Sequence, residues 1–431
     1  MRQPEVVLGV GGGIAAYKAC ELLRRFTESG HHVRVVPTAA ALHFVGAATW
    51  AALSGEPVAT EVWEEVHQVP HVRLGKAADL VVVAPATADV LSRAATGRAD
   101  DLLTNVLLTA RCPVVFVPAM HTEMWEHPAT RENVATLRRR GALVVEPASG
   151  RLTGADTGKG RLPEPEAVFE LCRAVLARAQ AAVPPDAGEP GAGEPGARPA
   201  GPGPAFAAWH TDLAGRHVVV SAGGTREPID PVRFLGNHSS GKQGYALARA
   251  ALARGARVTL VSANSALPDP AGAEVIRVGT AEELAAAVTR AAAEADAVVM
   301  AAAVADFRPA ARARQKIKKV EGREPEPIAL VRNPDILAAL AAARRPGQVI
   351  AGFAAETEDV LANGQAKLAR KGCDLLVVNR VGEGLGFGTE ENEAVILEAG
   401  GGQTHVPRGP KEVLAHRIWD VVLRRLGGVH G

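Results

Sequence analysis

The stretch VVLGVGGGIAAYK (6–18) decides the fold. An apolar, mostly β-branched run at 6–10 meets three glycines at 11–13 and then residues of helical spacing over 14–28. A continuous apolar run is the signature of a strand buried on both faces, and a strand that feeds a helix through a glycine turn is the start of a parallel βα unit. Working outward, the same rhythm recurs in HVRVVPT (32–38), DLVVVAP (79–85), PVVFVPA (113–119) and ALVVE (142–146), with a helix predicted over 128–140. It starts afresh with HVVVSA (217–222), RVTLVSA (257–263), DAVVMAA (296–302), QVIAGFA (348–354) and DLLVVN (374–379), with helices predicted over 244–254 and 281–294. EAVILE (393–398) and QTHVP (403–407) flank AGGG and predict a hairpin.

Between the two series, 183–204 reads VPPDAGEPGAGEPGARPAGPGP, in which 13 of 22 residues are Pro or Gly. No apolar periodicity survives there, so it reads as a linker. The expected organisation is an α/β domain over 1–182, a Pro/Gly-rich linker over 183–211 and a second α/β domain over 212–431, both domains doubly wound parallel sheets. A chain of 431 residues suits two domains of ordinary size. With 47% hydrophobic residues global disorder is excluded, and a net charge of +1 gives nothing global that argues for nucleic acid or an anionic membrane, so neither is expected. Four cysteines without framework spacing read as reduced thiols of a cytoplasmic protein.

In doubly wound sheets ligands sit at the carboxyl ends of the strands. The segments 11–13, 85–89, 118–120, 223–225 and 302–306 all fall there. The turn Gly11–Gly12–Gly13 has Ile14 where a G-x-G-x-x-G fingerprint needs its third pattern glycine, so on its own it is either a phosphate cradle or a tight turn without ligand. GNHSSGKQ (236–243) nearly spells a P-loop, but Gln243 stands at the hydroxyl position and the preceding residues do not read as a strand.

Taken together, GGIAAYK (12–18), HVRLGKAADLVVVAPATAD (71–89), GRADDLL (97–103) and VPAMHTEMW (117–125) resemble the flavin-dependent cysteine decarboxylases, among them those acting on phosphopantothenoylcysteine. The resemblance implies FMN held by Gly11, Gly12 and Gly13, by Thr38, and by Pro85, Ala86, Thr87 and Asp89. It implies His71 as the base beside the substrate thiol, a task for which histidine titrates in the right range. Oxidation of that thiol to a thioaldehyde by FMN would create the electron sink for loss of CO2. The family pattern carries Asn where His121 stands here, beside Met120 in the substrate loop. It also carries a cysteine acid in the flap SGRLTGAD (149–156), where this chain has Gly154, followed by Asp156.

The stretch SAGGTREPIDPVRFLGNHSSGKQGYALA (221–248), followed in order by MAAAVADFRP (300–309), KIKK (316–319), NPDIL (333–337), GFAAET (352–357) and KLARKGCDLLVVN (367–379), resembles the phosphopantothenate–cysteine ligases. That resemblance implies CTP, with Mg2+ carried mainly by its phosphates and by Asp306. It places Gly223, Gly224, Thr225, Ala303 and Asp306 at the nucleotide, together with Pro334, Asp335, Ile336, Leu337 and Phe353. Lys367 and Lys371, one helical turn apart, would reach the triphosphate. Lys316 and Asn237 would act at the reacting acyl group, where developing negative charge needs cations and donors.

The implied protein is a bifunctional enzyme. It joins L-cysteine to 4′-phosphopantothenate through an acyl-cytidylate, then decarboxylates the product to 4′-phosphopantetheine, as a homo-oligomer. Two alternatives are a nicotinamide-dependent oxidoreductase, disfavoured because neither half has G-x-G-x-x-G followed by an acidic ribose ligand, and a non-catalytic regulatory flavoprotein, disfavoured because the ligase lysines are present.

Overall fold

The computed structural model describes residues 3–58, 70–152, 156–181, 211–318, 326–356, 359–380 and 388–427. They divide into two compact units, Met1–Ala214 with Pro270–Gly272, and Gly215–Asp269 with Ala273–Gly431. The segment expected as a linker, 183–211, lies outside the described residues apart from Thr211.

In the first unit the strands are β1 (Glu5–Val10), β2 (His32–Pro37), β3 (Leu80–Ala86), β4 (Val114–Pro118) and β5 (Leu143–Val144). They form one sheet in the order β2-β1-β3-β4-β5, parallel throughout. The helices are α1 (Ala16–Glu28), α2 (Ala47–Ser54), α3 (Pro70–Ala77), α4 (Ala88–Thr96), α5 (Leu102–Thr109), α6 (Thr122–Glu126), α7 (Pro128–Arg139) and α8 (Pro165–Ala181). Every residue of β3 and β4 is buried, as their unbroken apolar sequences require. A separate hairpin, β6 (Ala148–Arg151) and β7 (Thr157–Arg161), was not legible as strands because its residues are small and polar.

The second unit has β8 (His217–Gly223), β9 (Arg226–Pro228), β10 (Phe234–Gly236), β11 (Arg257–Ala263), β12 (Glu274–Val278), β13 (Ala297–Met300), β14 (Phe307–Pro309), β15 (Leu330–Arg332), β16 (Val349–Glu356), β17 (Leu375–Arg380), β18 (Glu391–Glu398) and β19 (Gln403–Pro410). Its helices are α9 (Lys242–Ala253), α10 (Ala281–Ala292), α11 (Ile336–Ala342), α12 (Val360–Lys371) and α13 (Lys411–Gly427). The main sheet runs β12-β11-β8-β13-β16-β17-β18-β19. Its first six strands are parallel, and the expected hairpin β18–β19 adds two antiparallel strands at the edge. Two short hairpins, β9–β10 and β14–β15, stand apart from it.

The residues before GNHSSGKQ do form a strand, β10, contrary to the sequence reading. It pairs antiparallel with β9 outside the main sheet, so the segment still lacks the strand of a P-loop. The side chain of Gln243 lies between the Lys411 carbonyl and the Asn392 amide, and Lys242 pairs with Glu390, so both serve to join α9 to its neighbours.

Helix α13 closes this unit against α9. The Trp419 ring is fully buried and its Nε1 donates to the Leu247 carbonyl at 2.9 Å. Arg254, 1% exposed, donates to the His416 carbonyl and to Asp420. Trp419→Ala should destabilise the second unit by about 3–5 kcal/mol, through lost burial and a residual cavity. Urea unfolding followed by far-UV circular dichroism measures it. A shift of its transition below 1 kcal/mol would mean that α13 is not part of the core.

Candidate functional site

Both sheets reverse their strand order at one point, between β1 and β3 in the first unit and between β8 and β13 in the second. At such a switch point the connecting loops diverge to opposite faces and leave a crevice.

In the first unit, three segments meet at this crevice. The Gly11 N–H donates to the Pro85 carbonyl at 3.0 Å, and the Thr38 N–H donates to the Val10 carbonyl at 2.9 Å. A Cβ on Gly11 would lie 2.5 Å from Pro85 O, and one on Gly12 would lie 2.3 Å from the Ala40 Cβ, so only glycine permits this approach. Thr38 is 5% exposed, and its Oγ1 accepts from the Ala41 N–H. The turn opens into α1, whose amino end has no side-chain cap and no acidic residue in its first turn. Thr87, by contrast, caps α4 through the Val90 N–H. Ala86 receives the Ala119 N–H, which ties in the loop after β4, while Asp89 faces Arg93 at 2.9 Å.

The substrate-loop residues lie beside the hairpin β6–β7. The Met120 N–H donates to the Gly160 carbonyl at 3.0 Å, and a Cβ on Gly158 would lie 2.2 Å from Thr122 Oγ1. His121 occupies the N-cap position of α6 without a side-chain capping bond. Asp156 closes the strand ends of the hairpin, its carbonyl accepting from the Leu152 N–H. Gly154 lies outside the described residues. His71 is in the first turn of α3, which leads directly into β3, and its carbonyl accepts from Thr109 Oγ1 at 2.8 Å. Its Nδ1 and the Thr122 Oγ1 are buried atoms with no hydrogen-bond partner among the described residues.

In the second unit the extensions of β8 and β13 are zipped together. The Ala303 N–H donates to Gly223 O, Thr225 N–H donates to Ala303 O, and Thr225 Oγ1 accepts from the Ala305 N–H. Asn237 joins them, its Nδ2 donating to the Val304 carbonyl at 3.1 Å. Asn333 donates to the Ala305 and Asp306 carbonyls and so fixes the strand end beside Pro334. Asp306 itself is exposed.

The second group gathers around β16. Leu337 lies over Gly352, where a Cβ would come within 2.3 Å of it, so Ile336 and Leu337 at the start of α11 lie over the strand that carries Phe353. Lys371 bonds Asp335 at 2.5 Å, and Lys367 pairs with Glu356 at 3.5 Å. Burial opposes ionisation of Asp335, but the Lys371 ammonium and the Ala338 N–H outweigh it and hold its carboxyl below the usual range. Lys316 is exposed and makes no ion pair among the described residues.

Sequence reasoning missed Asn264 and Asp230. Asn264 follows β11 at φ 49°, a conformation asparagine tolerates, and its Nδ2 holds both the Gly224 and Gly279 carbonyls. An asparagine at a strand's carboxyl end was the available signal.

Residues 1–177 match the Flavoprotein family, and 213–426 match the family described as DNA/pantothenate metabolism flavoprotein C-terminal domain. The coenzyme A biosynthesis bifunctional protein CoaBC of Mycobacterium tuberculosis (strain ATCC 25618 / H37Rv) is 57% identical over 435 residues, covering 98% of this chain and 97% of that one. The chain belongs to the CoaBC family. Its CoaBC relative in Vibrio vulnificus (strain CMCP6) is 40% identical over 426 residues, covering 98% of each chain. A crystal structure of the C-terminal domain of a CoaBC protein is 32% identical, covers 51% of this chain and 99% of its own, and superposes with a TM-score of 0.43.

The Flavoprotein match accords with a flavin as the cofactor of the first unit. The uncapped amino end of α1, the glycine turn without room for side chains and the buried Thr38 fit a phosphate-bearing flavin. Gly12→Val must push the turn off Ala40, so the purified variant should lose most of its flavin absorbance while CTP-dependent ligation persists. Full flavin occupancy in that variant would remove the turn from the cradle.

Proposed function

We propose that the two crevices run consecutive steps, each with the residues of its own unit. The chain is a bifunctional enzyme of coenzyme A biosynthesis, with a flavoprotein decarboxylase half and a ligase half. What supports the assignment of residues is that the turns Gly11–Gly13 and Gly223–Thr225 each lie at the topological switch point of their own unit.

In the ligase half, CTP lies along Gly223–Thr225, Ala303 and Pro334–Leu337, beside Phe353. Lys367 and Lys371 turn to its phosphates from Glu356 and Asp335. The 4′-phosphopantothenate carboxylate attacks the α-phosphorus and pyrophosphate leaves, giving the acyl-cytidylate. Lys316 balances the charge that develops on the α-phosphate, and the Asn237 amide lies beside the acyl carbon. The L-cysteine amine then displaces CMP. Among the described residues no cluster of three His, Cys, Asp or Glu side chains forms a metal cage, and Asp306 offers one exposed carboxylate. Mg2+ would take most of its ligands from the triphosphate.

In the decarboxylase half, Gly11–Gly13, Thr38, Pro85–Thr87 and Asp89 would hold FMN, which would accept two electrons from the thiol-bearing carbon and return them once CO2 has left, so that the net product is again a thiol. His71 takes the thiol proton on its imidazole. His121 and Met120 hold the substrate carboxylate end, Asp156 of the flap also serves the substrate, and the carboxylate leaves as CO2.

Homo-oligomerisation is part of the proposal, supported by Ile14 at 69% and Tyr17 at 62% exposure beside the flavin turn, apolar surface of the kind a second copy covers. Cytoplasmic placement accords with four free thiols. Among the described residues no helix is long and apolar enough to cross a membrane.

His71→Asn should abolish CO2 release from phosphopantothenoylcysteine while FMN absorbance and ligation stay near normal. Decarboxylation at the parent rate would remove His71 from the chemistry. Lys316→Gln should slow pyrophosphate release by on the order of 10²–10³-fold, with a smaller effect on CTP binding. Unchanged ligase turnover would make KIKK plain surface charge.

A further inference from the structure

The turn between β9 and β10 carries a charged group that the reaction does not use directly. The Asp230 side chain is fully buried, at 0% exposure. Its Oδ1 accepts the Val232 and Arg233 N–H groups, both at 2.8 Å. Its Oδ2 accepts from Arg233 Nε at 3.0 Å and Nη2 at 2.6 Å, and from the Ile317 N–H at 3.1 Å. Arg233 Nη2 also donates to the Ile317 carbonyl at 2.7 Å. One ion pair therefore grips both faces of Ile317, the residue next to Lys316. A second tie lies upstream, where the Ala313 N–H donates to the Ile229 carbonyl at 2.9 Å. The segment that holds Lys316 is thus fastened on both sides to the single turn 229–233.

The same turn leads through β10 to Asn237. Ligase residues more than 70 positions apart in sequence hang from one short hairpin. A flexible exposed lysine contributes to a transition state only if its backbone is already in place, because misplacement by about 1 Å can cost 10²-fold in rate.

We propose that Asp230 is the positioning residue of the ligase site, fixing Lys316 through the backbone of Ile317. The inference rests on the catalytic reading of Lys316 given above. Five hydrogen bonds from N–H and guanidinium groups to one buried carboxylate are more than a surface turn needs. Burial alone would push its carboxyl up, but the N–H groups of Val232, Arg233 and Ile317 and the Arg233 guanidinium hold it far below the usual range. It stays a charged acceptor across the working range of pH.

A double-mutant cycle on the full chain tests this. Asp230→Asn turns an acceptor into an amide that the Arg233 and Ile317 donors repel. It should lower kcat for pyrophosphate release on the order of 10–10²-fold, with KM for CTP changed less than about threefold and decarboxylation unchanged. In the Lys316→Gln background the same substitution should add less than about threefold, because its target is already gone. Equal losses in both backgrounds, or a rise in KM matching the fall in kcat, would overturn the proposal. Ile317→Pro removes the N–H and leaves Asp230 and Arg233 intact, so it tests the tie should Asp230→Asn fail to fold. It should reproduce the kcat loss, and parent turnover in that variant would also overturn the proposal. If Lys316→Gln alone retains parent turnover, the fault lies with the catalytic reading of Lys316, a result separate from either of these.

Discussion

The constraint on which the rest depends is that the central strands of both sheets are buried on both faces. β3, β4, β8 and β13 have no exposed residue, so their side chains pack the core and only their last residues border a crevice. Chemistry is confined to the segments that leave their carboxyl ends. Those segments must in turn be held without a strand to hold them. The molecule does this largely with backbone hydrogen bonds between neighbouring strand exits. Gly11 to Pro85 and Val10 to Thr38 serve in one unit, and Gly223, Ala303 and Thr225 serve in the other. Glycines recur at these points because the chains approach within a distance that a Cβ would occupy. At Gly223 that atom would fall 1.9 Å from the Ala263 carbonyl, at φ +83°.

The apolar strands were legible because burial on both faces leaves continuous runs such as LVVVAPA and HVVVSAG. The parts that escaped sequence reading have the opposite character. β12 (EVIRV) is an edge strand with no fully buried residue, and β6–β7 is a hairpin of Ala, Gly, Ser, Thr, Lys and Arg. Their strand character comes from pairing partners and not from their own composition. The ends of elements moved by one to three residues for similar reasons. α1 begins at Ala16 because Ile14 lies in the turn, 69% exposed.

The candidate site divided the same way. Residues within motifs, such as Gly11–Gly13 or Lys367 and Lys371, were nameable from local spacing and from likeness to a family. Asp230, Asn264 and Asn333 were not, since each works on backbone carbonyls or N–H groups of a distant segment. Asn264 meets Gly279, and Asp230 meets Ile317 across 87 positions of sequence. Such a role leaves no local pattern. It is visible only when the partner strand exits are known.

The lysines of the ligase half show how the resting site is balanced electrostatically. Lys367 and Lys371 lie one turn apart on α12 and would repel each other if both were bare. Glu356 and Asp335 neutralise them, and each carboxylate comes from a different element, the end of β16 and the N-cap of α11. The pairs fix where the ammonium groups wait without burying them, since the lysine side chains keep 28% and 18% of their exposure. On the reading proposed above, a triphosphate would exchange one carboxylate per lysine for more concentrated negative charge, with little side-chain ordering left to be done. Lys316 has no such acid among the described residues, and its neighbour Ile317 is held through its backbone. On the reading proposed above, the two kinds of placement suit two tasks: the paired lysines would hand over to a ground-state ligand, while Lys316 would keep its charge for the charge that develops in the transition state.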